Sequence, residues 1–319
     1  MISDYRGPDF LGIGAPRCGT TWLHTQLSRH PNVWMPPYKE LHFFDRSPKY
    51  ASPSHFSIES PWQRLLLCSE AKNHVRSLPA FRRTIGALMR RKFHDAIWWS
   101  RVGLDYYNID FYKRLFPRSG YTVCGEITPS YSVLNEEDIE IIHLLNPNMK
   151  FLYLIRNPID RIWSSIKYRR DKGTIQIDLK DADQLIEAIE YSKTVESGIR
   201  RGEYIKTLDS YSRFFDPFQI LVIFYDGIQD DVYSLHSAVA RFIGVDISGF
   251  GKTVGRVNES KSHSSMPRRV YDYLRKTEGP LIDQLADKFG SYALQWRDGV
   301  MPPRSEVRVA CLYGEVCPR

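Results

Sequence analysis

The sequence has no run of about 18 apolar residues, the length a membrane-crossing helix needs, and its opening MISDYRGPDF lacks the apolar stretch of a secretory leader. A cytoplasmic protein is the expectation. The five cysteines, Cys18, Cys68, Cys124, Cys311 and Cys317, form no CxxC pair and carry no histidine spacing of a zinc site. Free thiols are expected, with Cys311 and Cys317 able to pair in an oxidising compartment. There is no internal repeat, low-complexity tract or convincing linker, so the 319 residues read as one domain. A formal net charge of +7 favours anionic ligands or surfaces. Nucleic acid is not the expected partner, because no recognisable binding module is present and arginines gather in one stretch.

One further absence concerns a single residue. Phe10 to His30, FLGIGAPRCGTTWLHTQLSRH, reads as a buried strand, a glycine-bounded loop and a helix whose Trp22, Leu23 and Leu27 face inward. Gly14 and Gly19 have the spacing of the phosphate-binding loop G-x-x-x-x-G-K-[ST], yet Thr20 stands where the lysine belongs. Arg17 supplies positive charge from inside the loop, and Thr21 keeps the hydroxyl position. Unpaired N–H groups and the positive end of a helix dipole make such a loop a seat for phosphate or sulfate. The displaced cation points away from a nucleoside triphosphate and disfavours a P-loop kinase. A non-catalytic anion-binding protein is the rival from another class.

Farther along, Pro36-Pro37 implies a rigid turn before an extended segment, Tyr38 to Phe44. At strand spacing Glu40 and His42 share a face, where they either deprotonate a hydroxyl or simply meet solvent around buried Leu41 and Phe43. Residues 47–101 differ in composition. Ala80 to Trp99 reads as one basic amphipathic helix, with Arg82, Arg83, Arg90, Arg91 and Lys92 between apolar positions; the plainest reading is a solvated basic face, and the alternatives are a lid, a contact for an anionic acceptor or a membrane-surface helix.

The α/β pattern resumes with a strand at Tyr121 to Cys124, a helix at Glu136 to Leu145 and an apolar strand, Lys150 to Ile155, without alternation, as in a parallel sheet covered on both faces. Arg156 then lies at the carboxyl end of a central strand, where ligands of open α/β sheets bind, and Ser164 lies two turns into the next helix. Arginine suits a phosphate dianion, although a salt bridge to Asp160 is the plainer reading. Helices are expected at Asp181 to Lys193, Tyr204 to Phe215 and Val232 to Ile243, a buried strand at Gln219 to Phe224, and an interrupted helix from Val270 to Phe289. Gly249 to Pro267, with Lys261, reads as a loop, and nothing chemical is legible in the tail, 299–319.

Gly14-Ala-Pro-Arg-Cys-Gly-Thr-Thr-Trp-Leu23 and Leu154-Ile-Arg-Asn-Pro-Ile-Asp-Arg-Ile-Trp-Ser-Ser165 together resemble the two signature segments of sulfotransferases that use 3′-phosphoadenosine-5′-phosphosulfate (PAPS). Lys39 to Asp45 and Glu126 to Tyr131 look most like the glycosaminoglycan and bacterial branch. The resemblance implies a P-loop-type α/β fold with an open parallel sheet flanked by helices, PAPS as donor and no metal. It implies that Arg17, Cys18, Gly19, Thr20, Thr21 and Trp22 hold the phosphosulfate, that Arg156 and Ser164 hold the 3′-phosphate, and that Tyr225 and Lys261 flank the donor. Glu40 matches the base, with Arg17 and His42 as catalytic partners. The expected acceptor is a glycan or glycolipid, with a small hydroxylated metabolite or carrier-bound acyl chain as alternative, and peripheral membrane contact is assigned to the insertion. One departure stands out, since Ile127 occupies the place of a lysine common in that branch.

Overall fold

The computed structural model describes residues 7–47, 49–50, 80–117, 120–194, 202–251 and 264–315. Within them the chain runs β1 (Phe10–Gly14), α1 (Thr20–Leu27), β2 (Val33–Trp34), α2 (Ala80–Met89), α3 (Phe93–Leu104), α4 (Ile109–Arg114) and β3 (Val123–Ile127). It continues through α5 (Glu136–Leu145), β4 (Lys150–Ile155), α6 (Pro158–Asp171), α7 (Ala182–Thr194), α8 (Tyr204–Ser212) and β5 (Ile220–Phe224). The last elements are α9 (Gly227–Asp230), α10 (Val232–Ile243), α11 (Arg268–Phe289), α12 (Ser291–Asp298) and β6 (Ala310–Leu312).

The strands form one six-stranded sheet in the order β2-β3-β1-β4-β5-β6. FLGIG and ILVIF are buried throughout and KFLYLI is buried beyond its first residue, because helices cover both faces of these parallel strands. From β1 the chain builds β2 and β3 on one side and β4 and β5 on the other, so the strand order reverses between β1 and β4. That reversal opens a crevice at the carboxyl ends of the strands. Core tyrosines tie the layers together with polar bonds, as when Tyr211 donates to the Tyr131 carbonyl (2.9 Å) and Thr207 to the Ser132 carbonyl (2.8 Å).

Several elements differ from the sequence reading. The basic stretch is two helices, broken where Arg91 takes a left-handed backbone (φ 57°). Val270 to Phe289 is not interrupted at Gly279-Pro280. The helix begins at Arg268 and runs through Pro280, since Val270, Leu274, Ile282, Leu285 and Phe289 bury one stripe on both sides of it. The tail supplies an edge strand, β6, antiparallel to β5 with Val222 opposite Cys311. Cys18 and Cys311 are buried, whereas Cys317 lies outside the described residues, as do most of the insertion and Lys261.

Candidate active site

The loop after β1 is held to β4 by the Ala15 N–H donating to the Leu154 carbonyl (2.7 Å). Arg17 and Gly19 both take positive φ, 69° and 90°. A Cβ on Gly19 would stand 2.6 Å from Ile228 Cδ1, so only glycine lets the loop pass beneath the β5 segment. Gly19 caps α1 without a side-chain hydrogen bond and the first turn carries no acidic residue. The positive end of α1 is therefore presented to the crevice rather than neutralised.

Not every residue of this segment reaches outward. The Cys18 thiol lies 3.6 Å from the Tyr204 hydroxyl in the core, where burial pushes its pKa up. Trp22 is buried and stacks on His236 at 5.5 Å with 8° between the rings. These two side chains shape the loop from behind, and what they can offer an anion is backbone.

Two separate βα units converge at the crevice. Arg17 Nε donates to Ser164 Oγ at 3.2 Å, and Arg156 donates to the Arg17 carbonyl at 3.4 Å while lying over the Tyr225 ring at 4.4 Å. Tyr168 lies 4.4 Å beneath the Arg17 guanidinium. The Tyr204 hydroxyl fixes the strand end by donating to the Arg156 carbonyl (2.9 Å). Asp160 does not pair with Arg156, and neither arginine makes an ion pair among the described residues. Burial lowers the Arg17 pKa, and the charge of Arg156 lowers it further against the opposing pull of Tyr168. Lys167, three residues beyond Ser164 on the same helical face, is lowered by burial and by both arginines. Asp171 and Asp160 pull the Lys167 pKa the other way, so the two arginines are the cations at the positive end of a helix that make no ion pair among the described residues.

The second constellation sits on the segment after Pro37. Glu40 and His42 do come together, with His42 Nε2 3.7 Å from a Glu40 oxygen, but not through strand alternation. Both adopt left-handed backbone, φ 65° and 52°, in an irregular loop. His42 Nδ1 meets buried Asp45 at 2.7 Å, and Lys39 Nζ hydrogen-bonds the other Glu40 oxygen. Burial opposes the charge on Glu40, yet hydrogen bonding to His42 and the Lys39 charge outweigh it and hold the carboxyl at about 2. Burial likewise opposes the His42 charge, while hydrogen bonds to Asp45 and Glu40 raise it to about 9. At neutral pH this is a carboxylate clamped between an ammonium and an imidazolium.

Glu126, which the motif alone did not mark as a site residue, organises that loop. It is buried on β3 and accepts from Tyr112 (2.6 Å), Tyr131 (2.9 Å), Thr128 (2.7 Å) and the Leu41 N–H (3.3 Å). The Tyr131 hydroxyl also accepts from the Phe43 N–H at 2.9 Å. The residues on either side of His42 are thus pinned to β3 and its neighbour. On α1, burial and the nearby Lys39 bring His24 down to about 4, with Glu40 opposing, which places the Glu40 loop beside the helix that the anion loop starts.

The family profile described as "Sulfotransferase family" matches residues 8–249. The chain belongs to the sulfotransferase family. A solved sulfotransferase from Alicyclobacillus acidocaldarius is 20% identical, with 88% of this chain and 94% of that chain covered and a TM-score of 0.53. The sulfotransferase domain of the Synechococcus PCC 7002 olefin synthase is 15% identical over 86% of this chain and 96% of its own, with a TM-score of 0.47. At these identities the likeness concerns the fold. No curated protein matches significantly. In this sulfotransferase Ile127 is buried in β3 and packs toward Gly12, so the lysine's position carries no charge toward an acceptor.

Proposed function

We propose that the enzyme transfers the sulfuryl group of PAPS to a hydroxyl acceptor, a glycan or glycolipid first among them. The observation that carries this reading is the convergence of Arg17 and Arg156 on one crevice, neither of them in an ion pair among the described residues. Uncompensated guanidiniums suit a ligand with two phosphate groups. In this reading Arg156 and Ser164 hold the 3′-phosphate, and the loop N–H groups of Gly19 to Thr21 hold the phosphosulfate. Tyr225 lines the nucleoside side.

The acceptor oxygen attacks sulfur in line, forming a new S–O bond as the bond from sulfur to the bridging oxygen breaks and its electron pair stays on the departing 5′-phosphate. Arg17 neutralises that developing charge. The acceptor proton passes to Glu40. We assign His42 the part of a charged donor that orients Glu40, because it already carries its proton at neutral pH. Sulfated acceptor and adenosine 3′,5′-bisphosphate result.

Thermal unfolding tests the donor assignment. Adenosine 3′,5′-bisphosphate without magnesium is expected to stabilise the protein by about 2.7 kcal/mol at a hundred times its Kd, and ATP with magnesium to do less. Preferential stabilisation by ATP with magnesium would overturn the donor assignment. A screen of labelled donor against lipid, glycan and small-molecule fractions assigns the acceptor, with a hydroxylated metabolite or carrier-bound acyl chain as the alternative outcome.

A further inference from the structure

A surface helix normally turns its polar side outward. The α2–α3 hairpin turns large apolar side chains outward as well. Trp98, Trp99 and Val102 of α3 are buried, and yet the opposite side presents Phe93, Ile97 and Leu104 at helical spacing. On α2, Ile85, Leu88 and Met89 are exposed as well, so that this one helical hairpin carries six large apolar side chains between 39% and 81% exposed. Exposed apolar side chains gathered on one pair of packed helices, rather than scattered singly, mark an interaction site.

The charge around it selects the partner. Arg82, Arg90 and Arg91 are exposed and make no ion pair among the described residues, and Lys92 has only a loose contact with Asp95 at 3.9 Å. The left-handed turn at Arg91 gathers three consecutive cations at the bend between the helices. Apolar side chains rimmed by arginine fit the boundary of a bilayer that carries negative headgroups. We propose that this face docks on an anionic lipid membrane.

Its position bears on the reaction. Arg83 lies over Trp99 at 4.5 Å and over Tyr38 at 5.0 Å, and the Tyr38 and Trp99 rings meet edge to face at 5.7 Å. Tyr38 is two residues before Glu40, so the hairpin is packed against the segment that carries the proposed base. Resting on the sulfotransferase reading, docking sets Glu40 beside a membrane-held acceptor whose hydroxyl stands at the headgroup level.

Co-sedimentation of the full chain with vesicles tests this. The protein is expected to pellet with phosphatidylcholine vesicles containing phosphatidylglycerol and to stay in solution with phosphatidylcholine alone. Combined Leu88→Ser, Met89→Ser, Phe93→Ser and Ile97→Ser should abolish pelleting. Arg82→Glu, Arg90→Glu and Arg91→Glu together should weaken it by about a hundredfold, in line with roughly 1 kcal/mol per surface cation. Retained stabilisation by adenosine 3′,5′-bisphosphate shows that the variants are folded. A wild-type protein that ignores anionic vesicles, or serine variants that pellet as well as wild type, overturns the proposal. So does light scattering that finds a dimer dissolved by the serine substitutions, since a second copy would then own this face. Loss of the nucleotide response in wild type would instead overturn the sulfotransferase reading, and leaves the vesicle result standing.

Discussion

The crevice at β1 and β4 and the loop around Glu40 treat charge in opposite ways. In the crevice, burial and the neighbouring arginines lower the pKa of Lys167, burial and Arg156 lower that of Arg17, and neither Arg17 nor Arg156 makes an ion pair among the described residues. In the loop, Lys39, Glu40, His42 and Asp45 alternate in sign and pair with one another. Unmet charge costs stability until a ligand supplies the counter-charge, whereas a paired network holds its geometry beforehand. The first arrangement suits binding an anion, and the second suits holding a base in place.

The sharpest way to break this contrast is to remove one arginine at a time. Arg17→Ala should lower kcat by about 10² to 10³, the usual range for losing one donor to a developing anion, with little change in affinity for adenosine 3′,5′-bisphosphate. Arg156→Ala should do the reverse, raising the Kd of that nucleotide with a smaller change in turnover. Steady-state kinetics beside calorimetric titration separate the two, and equal effects from both variants would mean that the crevice acts as one binding patch. Next in size is Glu40→Gln, which should cost on the order of a hundredfold in rate at unchanged nucleotide affinity; a larger loss in His42→Ala would exchange their roles.

Much of this was legible in the residues, and the reason is that each feature rests on local rules. Apolar runs without alternation gave β1, β4 and β5, and the Gly14 to Gly19 spacing with Arg156 and Ser164 marked both halves of the crevice. What escaped depends on tertiary context. Glu40 and His42 meet through two left-handed residues, which no alternation rule foresees. β6 is three residues long and exists because it pairs with β5. Glu126 looks in sequence like one more motif letter, and only the fold brings two tyrosine hydroxyls, a threonine and a loop N–H to it. Lys167 was findable, three residues after Ser164 on a helix.

Glu126 sharpens the comparison from behind. Glu126→Gln keeps the volume but replaces one acceptor oxygen with a donor facing Tyr112 and Tyr131 or Thr128 and Leu41. A buried polar group left mispaired costs about 1–3 kcal/mol, so the melting temperature should fall. With the loop loosened, turnover should drop by about tenfold while the Kd of adenosine 3′,5′-bisphosphate holds, because the crevice does not touch Glu126. A fall in nucleotide affinity equal to the fall in rate would show that the loop and crevice are one unit.

The smallest expected effect concerns pH. Glu40 is held at about 2, so its charge contributes stability above its ordinary 4.5 and loses it only as pH falls through 2. His42 is raised to about 9 from 6.5, so its contribution is full below 6.5 and fades as pH rises through 9. The ionised pair therefore persists across the neutral range, and kcat should stay level there and decline by a few-fold on an alkaline limb near 9. In His42→Gln, whose amide still donates to Glu40 but does not titrate, that limb should vanish while the plateau falls only modestly. A wild-type profile that instead rises through pH 6 to 7 would mean that His42 must lose its proton to act, which would move the base from Glu40 to the imidazole.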